Sequence, residues 1–214
     1  MKDKKPAPPT VVLLVRHGLT PTTGVKLPGR ARGLHLSDEG HRQAEAAAAR
    51  IAKIPKLVAI YSSPLERARE TAQIIAKSRH MPVRIERGLL ELDNGKFTGM
   101  AIKDAVAKPE WKIIQQHPSG FRFEGGESFT EMQARVTDAI ARIVARHPGR
   151  IVVAVSHADP IKAVVAHALG TPLDLFQRIM IGTASITAIT YRPSGAAVLT
   201  VNSMDGDLAA LGIK

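Results

Sequence analysis

The sequence of 214 residues contains no cysteine, and this absence removes several kinds of chemistry. Disulfide scaffolds, cysteine nucleophiles and thiolate metal sites are all excluded. Aromatic residues make up only 4% of the chain, which is little material for the stacking platforms of single-stranded nucleic-acid binders. The apolar run at residues 11–15 is far shorter than the roughly 18 residues that a membrane-spanning helix needs. We therefore expect neither a nucleic acid nor a membrane as partner.

Positive charge is in excess, because 30 Lys and Arg residues stand against 19 Asp and Glu and leave a net charge of +11. Such a chain attracts anions. Its length and its 44% hydrophobic content are typical of one globular domain with a substantial core. Residues 1–10, MKDKKPAPPT, are charged and proline-rich and lack the apolar stretch of a signal peptide. We expect a flexible tail over residues 1–10, a single domain over residues 11–214, and a cytoplasmic location.

Short apolar runs alternate with helical patterns along the chain. Strands are predicted at residues 11–15, 57–61, 81–85 and 151–155, and helices at residues 37–54, 63–79, 128–147 and 160–169. Residues 88–126 are predicted to be irregular with short helices, and residues 184–191 and 197–201 to form a closing antiparallel pair. This alternation predicts a single-domain α/β fold, with a mostly parallel central sheet and helices on both faces.

Capping patterns predict where two of these helices begin. Ser63, Pro64 and Glu66 supply a serine cap, a proline at the first position and a glutamate three residues after the cap. Ser128 and Glu131 repeat the serine–glutamate pattern. We therefore expect helices that begin directly after Ser63 and Ser128.

The candidate functional residues lie directly after three of the predicted strands. Arg16 and His17 follow the first strand, Arg67 lies in the first turn after the second, and His157 follows the strand at residues 151–155. Ligands of open α/β sheets bind outside the carboxyl ends of the strands. A single histidine in such a position is more often structural than catalytic. The joint occurrence of two histidines and two arginines indicates an anion site, if the three strands are neighbours.

These residue types suit phosphoryl transfer, which needs mainly positioning and charge neutralisation. A neutral histidine can be the nucleophile, and guanidinium groups match phosphate oxygens. A second, protonated histidine would add a donor, and helix N-termini near Pro64 and Ala158 would add N–H groups. No metal is required by this set. The proton donor for the leaving oxygen is left open between Glu91 and Asp93, with Glu91 favoured.

Further segments accompany these residues in a fixed order. They are Arg16-His17-Gly18, residues 29–40, residues 62–72, Leu90-Glu91 with Asn94, Gly95 and Gly99, residues 125–128, and Val155-Ser156-His157. Together they resemble the histidine phosphatase (phosphoglycerate mutase-like) superfamily over about residues 11–190. The Arg-His-Gly triplet alone is a weak signal, and the ordered set is highly specific.

The resemblance implies a metal-independent phosphatase that uses no cofactor and hydrolyses a small phosphomonoester. His17 would become a phosphohistidine, and Glu91 would protonate the leaving group and then activate water, which favours Glu91 over Asp93. His157 would act in catalysis and in phosphate binding. The implied phosphate pocket consists of Arg16, Arg67, His157, Thr23 and the backbone N–H of Ala158.

Departures from the family pattern favour a phosphatase over a phosphoglycerate-mutase-type phosphomutase. Leu19 stands where many mutases have glutamate, Thr23 where asparagine is common, and Ala158 replaces the more usual glycine after the second histidine. The chain is also shorter than is usual for a mutase. The phosphomutase remains an alternative, and a non-enzymatic polyanion-binding module is a third hypothesis.

The substrate is not identified by the sequence, although two loops are expected to determine specificity. These are residues 21–36 and 95–126, and both contain basic residues: Lys26, Arg30, Arg32, Lys103, Lys108, Lys112 and Arg122. The basic residues indicate either a multiply anionic substrate or a solvated basic face.

Overall fold

Six strands form one sheet in the computed structural model, which describes residues 8–212. They are β1 (Thr10–Arg16), β2 (Leu57–Ser62), β3 (Val83–Ile85), β4 (Ile151–Ser156), β5 (Ile186–Arg192) and β6 (Gly195–Ser203). Their order across the sheet is β3-β2-β4-β1-β5-β6. The neighbours among β1 to β4 are parallel, whereas β5 pairs antiparallel with β1 and β6 antiparallel with β5. The predicted mostly parallel sheet and closing antiparallel pair are confirmed.

Helices cover both faces of this sheet. They are α1 (Asp38–Ala52), α2 (Glu66–Arg79), α3 (Ile102–Val106), α4 (Glu110–Gln116), α5 (Phe129–Arg146) and α6 (Ala158–Leu169), with short 3-10 turns at Arg87–Leu89, Gly95–Phe97, Pro118–Gly120, Leu173–Arg178 and Leu208–Leu211. α1 and α2 pack on one face, and α5 and α6 on the other. Within residues 8–212, no helix is long and apolar enough to cross a membrane.

The continuous apolar run of β1 reflects burial on both faces of the sheet. Val12 and Leu14 pack in the core beneath α5 and α6, whereas Leu13 and Val15 pack beneath α1 and α2. Successive side chains of a strand point to opposite faces, so a strand covered on both sides must be apolar at every position. β4 follows the same rule, and this is why both strands are readily found in the sequence.

The structure confirms the predicted helix start at Ser128 but not the one at Ser63. The capping box at Ser128 is present, since Ser128 Oγ accepts from Glu131 N and the Glu131 carboxylate accepts from Ser128 N. The predicted cap at Ser63 is wrong, because α2 begins at Glu66 after Leu65, which makes no side-chain cap. The Ser63 hydroxyl lies 2.7 Å from His157 Nε2 and accepts from Leu65 N at 3.4 Å, before the helix begins. The hydroxyl group that the local pattern assigns to helix capping therefore makes a tertiary contact with His157.

The predicted flexible tail, residues 1–10, lies largely outside the described residues. Its last residue, Thr10, is the first residue of β1 and is buried. Thr10 Oγ1 donates to the carbonyl of His147 at 3.0 Å and accepts from Gly149 N at 3.0 Å. The folded part of the chain therefore includes Thr10.

Gly18 and Gly40 allow the loop after β1 to pass directly over the first turn of α1. A Cβ on Gly18 would lie 2.3 Å from the carbonyl oxygen of Gly40, and one on Gly40 would lie 2.0 Å from that of Leu19. Ser37 N also donates to the Leu19 carbonyl at 2.9 Å. This close backbone contact holds the segment that carries His17.

We predict that Gly40→Ala destabilises the protein by about 1–3 kcal/mol, because the added methyl group forces the backbone at Leu19 to move. Chemical denaturation measures the change. Ala46→Ser is the control, since it adds one heavy atom at an exposed position of the same helix. Equal free energies of unfolding for the two variants would contradict the prediction.

Candidate active site

The order of the strands brings the predicted site residues together. β4 lies between β1 and β2, so the carboxyl ends of these three parallel strands are adjacent. His17 and His157 follow β1 and β4, and their ring centroids are 5.2 Å apart. Arg67, in the first turn of α2, lies close enough to affect the pKa values of both rings. The condition on which the anion site depends, neighbouring strands, is therefore met.

His17 is buried and is oriented by its own backbone. Its Nδ1 lies 2.7 Å from the carbonyl oxygen of Gly18. A carbonyl oxygen only accepts, so Nδ1 carries the proton and Nε2 carries the lone pair. Burial lowers the pKa of His17 well below its usual value, and the charges of Arg67 and Arg16 lower it further. The lowered pKa favours the neutral imidazole, and Nε2 has no hydrogen-bond partner within residues 8–212.

His157 is fully buried, and its two ring nitrogens differ in their surroundings. Nε2 lies 2.7 Å from Ser63 Oγ, whereas Nδ1 has no hydrogen-bond partner among the described residues. Burial lowers the pKa of His157 well below its usual value, with further lowering by Arg67, His17 and Arg16. Burial and the neighbouring positive charges therefore disfavour the protonated form expected from the sequence. With the Ser63 hydroxyl donating to Nε2, the neutral ring still offers Nδ1–H to a ligand.

The two arginines have free donors in the same place. Arg67 is fully buried, and its Nη2 donates to the carbonyl of Gly29 at 2.8 Å, while Arg16 Nη1 donates to that of Ile181 at 2.7 Å. Arg16 Nε, Arg67 Nε, Arg67 Nη1 and His157 Nδ1 are buried without a hydrogen-bond partner in residues 8–212. Buried polar groups are normally hydrogen-bonded. An anion with several acceptor oxygens is the kind of ligand that such donors bind.

Glu91 differs in environment from Asp93, its rival as proton donor. The pKa of Glu91 is raised to about 7, because burial and then the charge of Asp159 outweigh the lowering effects of Arg67, the Leu92 N–H and Arg16. Its carboxyl group is thus partly protonated near neutral pH. Asp93 instead accepts from Gly95 N at 3.1 Å and from Arg30 at 3.5 Å. These contacts favour Glu91 as the acid.

A pair of arginines holds the segment that carries Glu91. Arg30 Nε donates to the Glu91 carbonyl at 2.9 Å, and Arg135 Nη1 donates to that of Leu90 at 3.0 Å. Both arginines also bind Glu127, Arg30 at 2.9 Å and Arg135 at 2.8 Å. Sequence analysis identifies Arg30 only as a basic loop residue and misses Arg135, whose position on α5 carries no signal in the sequence. Glu127 and its two arginines therefore hold the backbone around Glu91 in place.

Thr23 and Ala158, the remaining predicted pocket residues, are placed differently. Thr23 Oγ1 accepts from Thr20 N at 3.1 Å and lies 2.9 Å from Thr20 Oγ1, so the contacts given by the structure are within its own loop. Ala158 is the first residue of α6, directly after His157. Its N–H is one of the N-terminal groups that an α-helix leaves unpaired. Ala158 thus joins the other groups at the end of β4.

The histidine phosphatase superfamily (branch 1) has a profile that matches residues 12–204. The chain belongs to this superfamily. Phosphoserine phosphatase 1 of Hydrogenobacter thermophilus is 32% identical to it over 196 residues, which cover 89% of this chain and 91% of that protein. The solved structure of mycobacterial glucosyl-3-phosphoglycerate phosphatase has 27% identity and a TM-score of 0.81, and the match covers 90% of this chain and 98% of that chain.

A longer relative shows that this domain also occurs as part of a larger protein. A bifunctional protein of Mycobacterium tuberculosis is 30% identical over 201 residues, which cover 94% of this chain. The match covers 55% of that protein, so this histidine phosphatase domain spans about half the length of that relative.

We predict that inorganic phosphate raises the thermal unfolding midpoint of the wild type, because it binds the four unpartnered nitrogens of the native state. Arg67→Gln should weaken phosphate binding at least about tenfold, since a charge-assisted hydrogen bond is worth about 1.5–3 kcal/mol. Calorimetric titration of the folded variant measures this. Arg69→Gln, an exposed arginine on the same helix, should bind phosphate like the wild type. Unchanged affinity in Arg67→Gln would exclude this pocket as the phosphate site.

Proposed function

We propose that the protein is a metal-independent phosphatase that hydrolyses a small phosphomonoester in two steps through a phosphohistidine on His17. One observation carries the proposal: His17, whose lowered pKa favours the neutral ring, lies beside His157, Arg16 and Arg67, and these three side chains have four buried nitrogens without a partner in residues 8–212. The pocket combines a nucleophile with donors suited to a phosphoryl group. The family membership and the phosphatase names of two relatives support it.

In the first step, His17 Nε2 attacks phosphorus while the bond between phosphorus and the leaving oxygen breaks. Glu91 gives its proton to that oxygen, which departs as an alcohol. Arg16, Arg67 and His157 Nδ1–H donate to the remaining phosphoryl oxygens and neutralise their charge. The raised pKa of Glu91 suits this role, because the group must be protonated before the transfer.

In the second step, Glu91 is a carboxylate and accepts a proton from water. The water oxygen attacks phosphorus, the bond between nitrogen and phosphorus breaks, and the electron pair returns to Nε2 of His17. Inorganic phosphate leaves, and Glu91 is again protonated for the next cycle. A pKa near neutrality lets the same carboxyl group serve as acid and then as base.

Hydrolysis is favoured over the two alternatives. A phosphomutase must return the phosphoryl group to product, and the relatives with phosphatase names support transfer to water. A non-enzymatic polyanion-binding module would not need a free nucleophilic nitrogen and an acid beside it. A coupled assay in which phosphoglycerate interconversion outpaces phosphate release would reverse the preference for a phosphatase.

We predict that His17→Ala lowers hydrolysis of p-nitrophenyl phosphate by about a thousandfold or more, because no other group replaces the nucleophile. His41→Ala is the matched control, since His41 is an exposed histidine on α1. A chelator should leave the wild type active. Turnover retained in His17→Ala would rule out the phosphohistidine.

We also predict that kcat/KM for an alkyl phosphate falls as the pH rises through about 7, after correction for substrate ionisation. The raised pKa keeps Glu91 protonated below that pH and lets it lose its proton above. Glu91→Gln should remove this limb and lower the rate about 10²–10⁴-fold. The loss should be smaller for p-nitrophenyl phosphate, whose leaving group needs no proton. If Glu91→Gln still shows the fall of kcat/KM above about pH 7, another group causes that fall.

A further inference from the structure

A cavity of about 320 Å³ lies at the edge of the sheet opposite to the candidate active site. We call it the amino-edge cavity, and the lining residues that matter here are Val11, Lys56, Ile151, Thr190, Arg192 and Leu211. Val11 and Ile151 lie at the amino ends of β1 and β4, whereas His17 follows the carboxyl end of β1. The extended chain from Val11 to His17 spans roughly 20 Å, at about 3.3 Å per residue. The cavity is therefore separate from the phosphate pocket.

One row of side chains across the sheet forms the floor of the amino-edge cavity. Val11 is paired with Ile151 of β4 on one side and with Thr190 of β5 on the other. Residues that are directly paired across neighbouring strands carry their side chains on the same face. Val11 and Ile151 belong to the core beneath α1 and α2, so Thr190 brings a hydroxyl group into an otherwise apolar row.

This hydroxyl group has no partner within the protein. Thr190 is only 3% exposed, and its Oγ1 is buried without a hydrogen bond to any described residue. A buried polar group is normally hydrogen-bonded, because leaving it unpaired costs free energy. The nitrogens of the phosphate pocket are in the same condition. A polar ligand group in the cavity would supply the missing partner.

Two free cations accompany the hydroxyl group. Lys56 and Arg192 are exposed, line the cavity, and make no side-chain hydrogen bond or ion pair with the described part of the chain. By contrast, Arg50 at the end of α1 is fully occupied by the carbonyl groups and the hydroxyl of residues 203–206. None of the described residues that line the cavity is acidic. The cavity therefore attracts an anion.

The positions of these groups favour a carboxylate. Thr190 and Arg192 are two residues apart on β5, so both side chains point to the same face of the sheet. A carboxylate between them has two oxygens, which can accept from the guanidinium and from the hydroxyl. Lys56 adds a second positive charge at the same cavity.

The remaining walls are apolar and call for an apolar body on the ligand. Besides Val11 and Ile151, they include Pro9, Leu199 and Leu211. Leu199 is 37% exposed, although leucine is usually buried. The volume of the cavity lies at the lower end of the range of about 300–1,000 Å³ for small-molecule sites. It therefore suits a small molecule rather than a polymer.

We propose that the amino-edge cavity is a second ligand site, which binds a small amphipathic carboxylate. The carboxylate contacts Arg192, Lys56 and the Thr190 hydroxyl, and an apolar body of about six to ten carbon atoms packs against Val11 and Leu211. The site does not depend on the proposed phosphatase function, because it shares no residue with the phosphate pocket.

Calorimetric titration of the wild type with 3-phenylpropionate tests the proposal. Saturating inorganic phosphate is present, so that the phosphate pocket is filled. We expect saturable binding with a Kd of about 1 mM or below, and the same Kd without phosphate. 3-Phenylpropan-1-ol lacks the charge and acetate lacks the apolar body, so each should bind at least about tenfold more weakly.

Variants locate the binding in the amino-edge cavity. Arg192→Gln should weaken binding of 3-phenylpropionate about tenfold, since it removes a charge-assisted hydrogen bond. Arg146→Gln is the control, because Arg146 is exposed at the end of α5 and does not line the cavity. Thr190→Val keeps the shape of the side chain and should weaken binding about threefold to tenfold. Its free energy of unfolding without ligand should equal or exceed that of the wild type, because the hydroxyl has no partner to lose.

The proposal is contradicted if 3-phenylpropionate shows no saturable binding, or if phosphate displaces it. Wild-type affinity in either Arg192→Gln or Thr190→Val would likewise place the ligand elsewhere. A Thr190→Val protein that is less stable without ligand would show that the hydroxyl has a structural role. None of these outcomes bears on hydrolysis by His17.

Discussion

Burial of arginine side chains beside two histidines is the constraint on which the site depends. Arg67 is fully buried, and two of its three nitrogens have no partner in the described structure. Its charge and that of Arg16 lower the pKa values of His17 and His157 and oppose the raised pKa of Glu91. A phosphoryl group would relieve the unpaired charge, so the same arrangement favours substrate binding and a neutral nucleophile.

This electrostatic arrangement needs a rigid support, which backbone contacts and one ion-pair cluster provide. Gly18 and Gly40 bring the His17 loop into backbone contact with α1. Glu127, bound by Arg30 and Arg135, braces the carbonyl groups around Glu91. The proposed nucleophile, His17, and the proposed acid, Glu91, are thus attached to different parts of the fold by contacts within the protein. Such preorganisation is what stabilisation of transition-state charge requires.

Much of the fold and of the core of the site was predictable, because the signals are local. Strands buried on both faces are continuously apolar, so β1 and β4 stand out, and the residues after them are read directly as candidates. The structure brings Arg16, His17, Arg67, Glu91 and His157 into one electrostatically coupled group. Thr23 was also a candidate, yet its contacts are within its loop. A hydroxyl that satisfies a local turn has no sequence signal that distinguishes it from one that faces a ligand.

The sequence by itself determined the alternation of strands and helices, the positions of histidine and arginine after the strands, and the absence of thiol chemistry. Only the tertiary structure decided that β4 lies between β1 and β2, that Ser63 contacts His157 rather than capping α2, and that Lys56 and Arg192 line one cavity. Periodicity and capping depend on residues a few positions apart. Strand order and long-range side-chain contacts join residues far apart in the chain, and depend on how all the elements pack at once.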